Sequence, residues 1–283
     1  MLLSLENVKK EYKDFQLDCS LQVKEGQVTG MIGANGAGKS TTFKAILGLI
    51  KTDGGTIRVF EKDPLQWKAS DKEKIGVVFA ESTFSCMMTV KDVIAVMKAS
   101  YHQFDEPWFL EKCRQYQLPL DKKIKDFSTG MKAKLKLLTA MSYDAKLLVL
   151  DEPTVGLDPM TREELLDEMR LFMERGNRAI LISSHISTDI EGLCDDLYFM
   201  QDGTIRLHED TDVILSDYAV IKVNPEQYEN LDLTHVLYRK KEAFGYELLT
   251  RERQYYQDNY PDLVIEKGSV DGVLTLIAKG ERV

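Results

Sequence analysis

The sequence feature that most constrains the fold is a glycine-rich segment at residues 33–41, which reads GANGAGKST. It fits the pattern G-x-x-x-x-G-K-[ST] of a phosphate-binding loop. A strand-like run over residues 27–32 precedes it, and a run with apolar residues at helical spacing follows it over residues 42–49. Because this pattern needs a strand before it and a helix after it, the segment predicts a nucleotide site and not an ordinary glycine-rich turn.

The residues of this segment suit phosphate chemistry. Gly33, Gly36 and Gly38 have no side chain to block a close approach of the backbone, so successive N–H groups can surround phosphates at a helix N-terminus. Lys39 would add a positive charge, and the hydroxyl of Ser40 would bind Mg²⁺. The residues predicted to contact the nucleotide here are Asn35, Gly36, Ala37, Gly38, Lys39, Ser40 and Thr41.

Composition narrows the class of protein. The chain has 283 residues, of which 43% are hydrophobic and 29% charged, as in a globular protein with a proper core. Its net charge of −9 argues against nucleic acid as the main partner. No apolar run approaches the ~20 residues of a membrane-spanning helix, and residues 1–6 are too short and too soon charged for a signal peptide. The cysteines are far apart, which favours reduced cytosolic thiols over a disulfide or zinc framework.

The pattern along the chain predicts an α/β core. Paired strands are expected over residues 2–8 and 16–23, with Tyr12 in the turn between them. From about residue 91 to residue 145 the apolar residues are mostly at helical spacing, and residues 82–145, which begin with a loop, are interpreted as a helical insertion. Buried strands are predicted at residues 75–79, 147–150 and 179–182, an amphipathic helix at 161–175, and a hairpin around the Asp202–Gly203 turn. We expect a mostly parallel sheet with the nucleotide at the carboxyl ends of its strands.

The character of the sequence changes at about residue 216. Strand-like and helix-like segments alternate from there to the end, which predicts a small α+β appendage without a chemical motif of its own. The expected organisation is therefore one domain over residues 1–215 and a second over residues 216–283.

Three further side chains lie at predicted strand ends. Asp151 ends the apolar run 147–150 and is placed to hold Mg²⁺ through water, and Glu152 beside it can polarise an attacking water. His185 follows the strand at 179–182 and can donate a hydrogen bond to a γ-phosphate, or else serve as a structural group. Tyr12, which precedes the phosphate loop, can stack on adenine or pack on its own sheet.

At this point the sequence resembles the ATP-binding subunits of ABC transporters over residues 1–215. The family's motifs occur in the family's order, as GANGAGKS (33–40), FSTGM (127–131), LLVLDEP (147–153), GLD (156–158) and SSHIS (183–187). The resemblance implies a P-loop NTPase core that hydrolyses ATP with Mg²⁺, Glu152 as the catalytic carboxylate, His185 as the γ-phosphate sensor and Tyr12 as the adenine-stacking ring.

The resemblance also implies an active site shared between two subunits. The segment FSTGM stands where the family has its signature LSGGQ, and Ser128 with Gly130 at a helix N-terminus forms an anion site. In the family this site meets the γ-phosphate bound by a second subunit. By the same resemblance, Ser128, Gly130 and Asp158 are expected to be nucleotide-binding residues. Two ATP-binding subunits, identical or different, are therefore expected to pair head to tail around two ATP molecules.

Two departures from the family pattern concern hydrolysis. Thr129 stands where the signature usually has glycine, and Met131 stands where it has glutamine. The β-branched Thr129 restricts the backbone. Ala80 occupies the position of the family's glutamine and can neither touch Mg²⁺ nor sense a γ-phosphate; Glu81 next to it can replace that glutamine through water or be a solvated acid.

The remaining expectations concern partners. Residues 84–88 (FSCMM) are apolar for a connection, and in the family this region receives a separately encoded membrane-spanning permease; the alternative is packing within the helical insertion. The chain is accordingly expected in the cytoplasm, on the inner face of the cell membrane. The motif order and the small C-terminal part resemble bacterial ABC-2 type exporter ATPases of the bacitracin-resistance and YtrB-like subgroup. The alternatives are a soluble ABC ATPase unconnected with transport and a weakly hydrolysing regulator.

Overall fold

The computed structural model describes residues 1–80 and 84–283. Nine strands of this described chain form the larger sheet: β1 (Leu3–Tyr12), β2 (Phe15–Val23), β3 (Val28–Ile32), β4 (Gly54–Val59), β5 (Ile75–Val78), β6 (Leu147–Asp151), β7 (Ala179–Ser184), β8 (Asp196–Gln201) and β9 (Thr204–Asp210). Their order is β4-β1-β2-β9-β8-β3-β7-β6-β5.

The strands at the centre of this sheet are parallel, whereas the strands from the N-terminal part of the chain pair antiparallel at one side of it. Strand β3 pairs in parallel with β7 and β8, and β6 pairs in parallel with β5 and β7. Strand β1 pairs antiparallel with β2 and β4. Every residue of β3, β6 and β7 is buried, as expected for strands that are covered on both faces. The predicted fold class, a P-loop NTPase core with a mostly parallel sheet and an N-terminal antiparallel region, is confirmed.

The described residues form eleven α-helices: α1 (Lys39–Ile46), α2 (Ala69–Lys72), α3 (Val90–Ser100), α4 (Glu106–Gln115), α5 (Thr129–Met141), α6 (Pro159–Glu174), α7 (Ser187–Leu193), α8 (Thr211–Ser216), α9 (Pro225–Glu229), α10 (Arg253–Asn259) and α11 (Val270–Lys279). Helices α3 to α5 form the predicted helical insertion. Their buried side chains, such as Phe109 and Leu135, join one apolar cluster with the central strands, which fixes the insertion on the core.

Two predicted boundaries were wrong. Tyr12 is the last residue of β1 and not part of the turn, because it pairs with Phe15 across a turn of only two residues. Helix α1 begins at Lys39 and ends at Ile46, whereas the apolar spacing predicted a helix over residues 42–49. The phosphate loop therefore runs directly into the first helical turn.

The C-terminal part of the described chain contains a second, five-stranded sheet. Its strands are β10 (Ala219–Val223), β11 (Val236–Glu242), β12 (Gly245–Thr250), β13 (Val264–Lys267) and β14 (Glu281–Arg282), in the order β13-β10-β12-β11-β14. All of its strand pairs are antiparallel. Helix α11 returns to the core, where Val273 and Leu276 join the same apolar cluster as β7. The division at residue 215 stays a prediction.

The strand register places the predicted site residues at one edge. Asp151 at the end of β6 is paired with Ser183 of β7, and Ile32 at the end of β3 is paired with Ser184. Because parallel strands end on the same side of a sheet, the phosphate loop after β3, Glu152 after β6 and His185 after β7 meet at this edge. Within the described residues, no helix has both the length and the apolar character to cross a membrane.

Candidate nucleotide site

The phosphate loop has the backbone that the glycines of its sequence predicted. Gly36 and Gly38 have φ values of 84° and 116°, in the region that favours glycine. Gly38 is the N-cap of α1, and none of the described side chains caps that helix. The N–H groups of the first turn of α1 are therefore free to bind an anion. Ala37 is a buried residue of this loop, and its carbonyl accepts a hydrogen bond of 2.9 Å from the N–H of Gly203.

An open cleft of about 470 Å³ lies above this loop. Its described lining contains six of the predicted nucleotide residues and Glu152; they are Asn35, Gly36, Gly38, Lys39, Ser40 and Thr41. The same cleft is lined by Asp14 and Phe15 from the β1–β2 hairpin, which the motif analysis did not single out. Tyr12 is 48% exposed beside Phe15, with 6.3 Å between the ring centroids. Two aromatic rings thus stand at the hairpin end of the cleft.

Asp151 connects the phosphate loop with the sheet. Its Oδ2 accepts a 2.7 Å hydrogen bond from the hydroxyl of Ser40, and its Oδ1 accepts one of 2.6 Å from the hydroxyl of Ser183. The Ser183 hydroxyl also accepts a 3.0 Å hydrogen bond from the backbone N–H of Glu152. Ser183 is fully buried, so one hydroxyl holds both acidic residues. Sequence reasoning did not assign Ser183 a role; the register of β6 with β7 reveals it.

Glu152 lies between Lys39 and His185. Its Oε1 is 3.3 Å from Nζ of Lys39, and its Oε2 is 2.7 Å from Nδ1 of His185. Oε1 is buried and makes an ionic contact without hydrogen-bond geometry. Lys39 is 6% exposed, and its ammonium donates a hydrogen bond of 2.6 Å to the carbonyl of Gly33. The structure therefore brings together the lysine, glutamate and histidine that the sequence predicted at three separate positions.

The residues present fit a divalent cation that is shared with a nucleotide. The Ser40 hydroxyl and the Asp151 carboxylate converge, and Oε1 of Glu152 is a buried oxygen to which no group in the described part of the chain donates a hydrogen bond. Among the described residues, no group of three or more His, Cys, Asp or Glu side chains forms a metal cage. A few protein oxygens completed by phosphate oxygens and water are the ordinary coordination of Mg²⁺.

The signature residues lie outside this cleft. Ser128 is the N-cap of α5, and its hydroxyl accepts a 3.1 Å hydrogen bond from the N–H of Met131. None of the described residues that line the nucleotide cleft comes from residues 127–131. A Cβ placed on Gly130 would lie 2.9 Å from Cγ2 of Thr161, so the signature rests against the start of α6.

Asp158 caps helix α6 and does not line the nucleotide cleft of its own chain. Its Oδ1 accepts hydrogen bonds from the N–H groups of Met160 and Thr161, at 3.1 and 3.0 Å. The hydrogen bond from the Thr161 backbone is the main reason why the pKa of Asp158 lies below its ordinary value. Asp158 is thus an ionised cap at an exposed corner of the molecule.

Ala80 lies two residues after the end of β5 and is exposed to solvent. Its carbonyl accepts a hydrogen bond of 3.2 Å from Nζ of Lys136 on α5, and burial lowers the pKa of that lysine. This contact connects the signature helix with the position where the family has glutamine. Glu81, the predicted substitute for that glutamine, lies outside the described residues.

A buried acid behind the site also escaped sequence reasoning. Asp189 of α7 accepts a 2.6 Å hydrogen bond from the hydroxyl of Thr154 and pairs with Nε of Arg162. Thr154 follows Glu152 by two residues, and α7 follows His185. The network therefore holds the segment after Glu152 against the segment after His185.

Known proteins resemble this chain in sequence and structure. The model of the family described as "ABC transporter" matches residues 17–155. The ABC transporter ATP-binding protein YtrB of Bacillus subtilis is 31% identical over 73% of this chain and 70% of its own length. A Nod factor export ATP-binding protein I of Bradyrhizobium is 32% identical over 77% of this chain and 73% of its own length.

A solved structure described as the ATP binding subunit of an ABC transporter agrees in fold. It has a TM-score of 0.68 and 26% identity, and it covers 76% of this chain and 92% of its own. The family motifs meet at one edge of the sheet, and the similarities in sequence and structure indicate the same family. The chain therefore belongs to the ABC transporter family, as the subunit that binds and hydrolyses ATP.

Proposed function

We propose that this subunit powers export through a separate membrane subunit, and that it works as a head-to-tail dimer that encloses two ATP molecules. One observation supports the head-to-tail dimer. The described lining of the nucleotide cleft has the phosphate loop, Ser40 and Glu152 but no residue of the signature, whose Ser128 lies at an exposed helix N-terminus. An anion site at that position is explained if it serves the nucleotide of a second subunit.

The roles proposed for the site residues follow from their positions. The N–H groups at residues 35–41 and the ammonium of Lys39 bind the phosphates and offset charge that develops during in-line attack by water. Glu152 orients and polarises that water, and His185 holds the glutamate and donates to the γ-phosphate. Ser40 and Asp151 hold Mg²⁺, which supplies charge neutralisation at the phosphates when it is bound.

Tyr12 and Phe15 are the proposed adenine contacts. Both rings lie at the β1–β2 hairpin, and Phe15 lines the cleft. Tyr12 presents about half of its surface to solvent, which suits a ring that stacks on a planar base.

The proposed membrane contact is the surface around residues 84–88. Met87 is 54% exposed, whereas Phe84 and Met88 pack against the core. An open groove of about 440 Å³ adjoins this segment and is lined by Phe84, Val96, Tyr101 and Lys136. An exposed methionine beside a partly apolar groove suits a helix of a permease. In this arrangement the subunit lies in the cytoplasm, against the inner face of the membrane.

Export as the direction of transport is supported by one of the similar proteins. The Bradyrhizobium relative is named for export, and it matches 77% of this chain. A weakly hydrolysing regulator is the second candidate, favoured by Ala80, whose methyl group cannot bind Mg²⁺ or water.

Complementation between two inactive variants tests the proposal. Lys39→Ala disables the phosphate loop, and Ser128→Arg blocks the signature. A mixed dimer of the two variants contains one pairing of an intact loop with an intact signature. Each variant alone should show little turnover, and an equimolar mixture should recover a substantial fraction of wild-type turnover.

Three results would count against the proposed function. No recovery in the mixture would contradict the shared active site. Full activity of Ser128→Arg alone would contradict the role of the signature. Wild-type turnover that stays negligible even with the membrane subunit present would favour the regulator.

A further inference from the structure

Helix α11 has a buried face and an exposed face. Val270, Val273, Leu274, Leu276 and Ile277 are buried. Asp271, Thr275 and Lys279 are exposed, and their spacing of four residues places them in one stripe along the helix. In the described chain no hydrogen bond or ion pair joins these three side chains to other residues.

The stripe borders a cleft of about 400 Å³ beside the nucleotide site. The lining of this cleft also includes Ala34, Asn35 and Gly36 of the phosphate loop together with His185. The same three loop residues line the nucleotide cleft, so the tip of the loop stands between the two clefts. Helix α11 therefore lines a cleft that shares the tip of the phosphate loop with the nucleotide cleft, which is itself lined by the β1–β2 hairpin.

Helix α11 is firmly held in this position. The N–H of Val270 donates a hydrogen bond of 2.8 Å to Glu191 of α7, and Ser269 caps the helix. The lining of the cleft includes apolar side chains, among them Phe199, Met200 and Leu274. A preformed concave surface with an apolar part suits an apolar side chain of a partner.

A candidate occupant lies next to the signature. Met160 at the start of α6 is 78% exposed, and Val155 before it is 43% exposed. Because Gly130 rests against Thr161, a subunit that brings its Ser128 to another subunit's nucleotide brings its Met160 to the same place. The segment 155–160 and the cleft beside the phosphate loop thus belong to one face of the dimer.

We propose that, in the ATP-bound dimer, residues 155–160 of a second copy of this chain dock in this cleft, with Met160 against the α11 stripe. The inference rests on the proposed head-to-tail dimer. It makes the C-terminal part of the chain a component of the dimer interface, beside His185 and the phosphate loop. The exposed thioether of Met160 then leaves water for a partly apolar cleft, which favours the closed dimer.

Two experiments test this contact in a Glu152→Gln background, which slows hydrolysis and so retains ATP. In the first, Thr275→Arg fills the cleft, and Glu229→Arg puts the same side chain on exposed α9 of the C-terminal part as a control. Sedimentation should show that ATP-dependent dimerisation weakens roughly tenfold or more for Thr275→Arg only. Binding of a fluorescent ATP analogue to the monomer should not change.

The second experiment identifies the occupant. A Thr275→Cys chain and a differently tagged Met160→Cys chain are mixed after the exposed Cys86 has been replaced by serine. A disulfide between the two tags should form with ATP and not without it.

The outcomes separate the two proposals. If the parent dimerises with ATP but Thr275→Arg has no effect and no cross-link forms, the α11 contact is wrong and the head-to-tail dimer stands. If the parent does not dimerise with ATP, the dimer itself fails, and the α11 contact fails with it.

Discussion

The Nδ1 atom of His185 lies 2.7 Å from Oε2 of Glu152. The same glutamate has a φ of 50°, its N–H is held by Ser183, and its other oxygen faces Lys39. A non-glycine residue with this backbone conformation is uncommon and costs of order 1 kcal/mol or more. The surrounding contacts hold Glu152 in that conformation, which aims its carboxylate into the phosphate cleft. The acid is thus positioned before any reaction begins.

Replacing Glu152 with glutamine should separate catalysis from binding. The amide keeps the size of the side chain but cannot polarise a water molecule as a carboxylate does. We expect ATP turnover to fall by about 100-fold or more, with ATP affinity retained. Glu163→Gln, on the exposed surface of α6, is the matched control. Turnover is measured as phosphate release, and ATP affinity is measured by equilibrium binding. Equal turnover of Glu152→Gln and wild type would show that Glu152 has no catalytic role.

Replacing Lys39 with alanine should weaken nucleotide binding itself. Lys39 is buried, and its ammonium is directed along the phosphate loop by the carbonyl of Gly33. Loss of a charge-assisted contact of this kind costs about 1.5–3 kcal/mol, which is about 10- to 100-fold in affinity. Lys44→Ala, on the exposed side of α1, should bind ATP like wild type. Isothermal calorimetry distinguishes the two, and unchanged affinity in Lys39→Ala would contradict the site.

Ser183→Ala tests whether one hydroxyl positions both acids. Without it, Asp151 loses a 2.6 Å donor and the N–H of Glu152 loses its side-chain acceptor. We expect a lower kcat and a higher Mg²⁺ concentration for half-maximal turnover, with ATP binding in the absence of Mg²⁺ unchanged. Ser183→Thr retains the hydroxyl and should recover the Mg²⁺ requirement. A Mg²⁺ requirement that is the same in all three proteins would show that Ser183 has only a structural role.

Acid should weaken the C-terminal part through Asp232. The Thr234 hydroxyl and N–H and the Tyr255 hydroxyl donate to this carboxylate and lower its pKa to about 2. In the folded protein the pKa of Asp232 lies below the ordinary value of about 3.9. The ionised carboxylate therefore contributes its full stabilisation of the folded state at pH values above about 4. This stabilisation is lost as the pH falls from about 4 to about 2. The difference in unfolding free energy between wild type and Asp232→Asn should therefore shrink over this range in urea titrations. A constant difference would contradict the lowered pKa; Asp258→Asn is the control.

Much of the fold could be predicted from local patterns. The phosphate loop and the apolar runs before Asp151 and His185 specify buried strands of a parallel sheet and the edge at which they end. The misplacement of Tyr12 has a physical cause, since only cross-strand pairing with Phe15 shows that the strand continues to the turn. Local patterns do not contain that pairing.

Other parts of the site depend on contacts between distant residues. Ser183 is one serine among many until its pairing with Asp151 is known. Helix α11 carries no motif, and its place beside the phosphate loop results from apolar packing and the Glu191 contact. For the same reason, the sequence alone does not show that Met87 is the exposed apolar side chain of the segment 84–88, whereas Phe84 and Met88 pack against the core.

Gentle extraction of membranes from cells that express a tagged form of this chain tests the central claim most directly. Mass spectrometry then identifies what is purified with it. The account predicts a polytopic membrane protein in stoichiometric amount, and a second, different ATPase beside it would identify a heterodimer. Recovery of the chain with ribosomes or DNA, and without any membrane protein, would contradict the account and favour a soluble ABC ATPase.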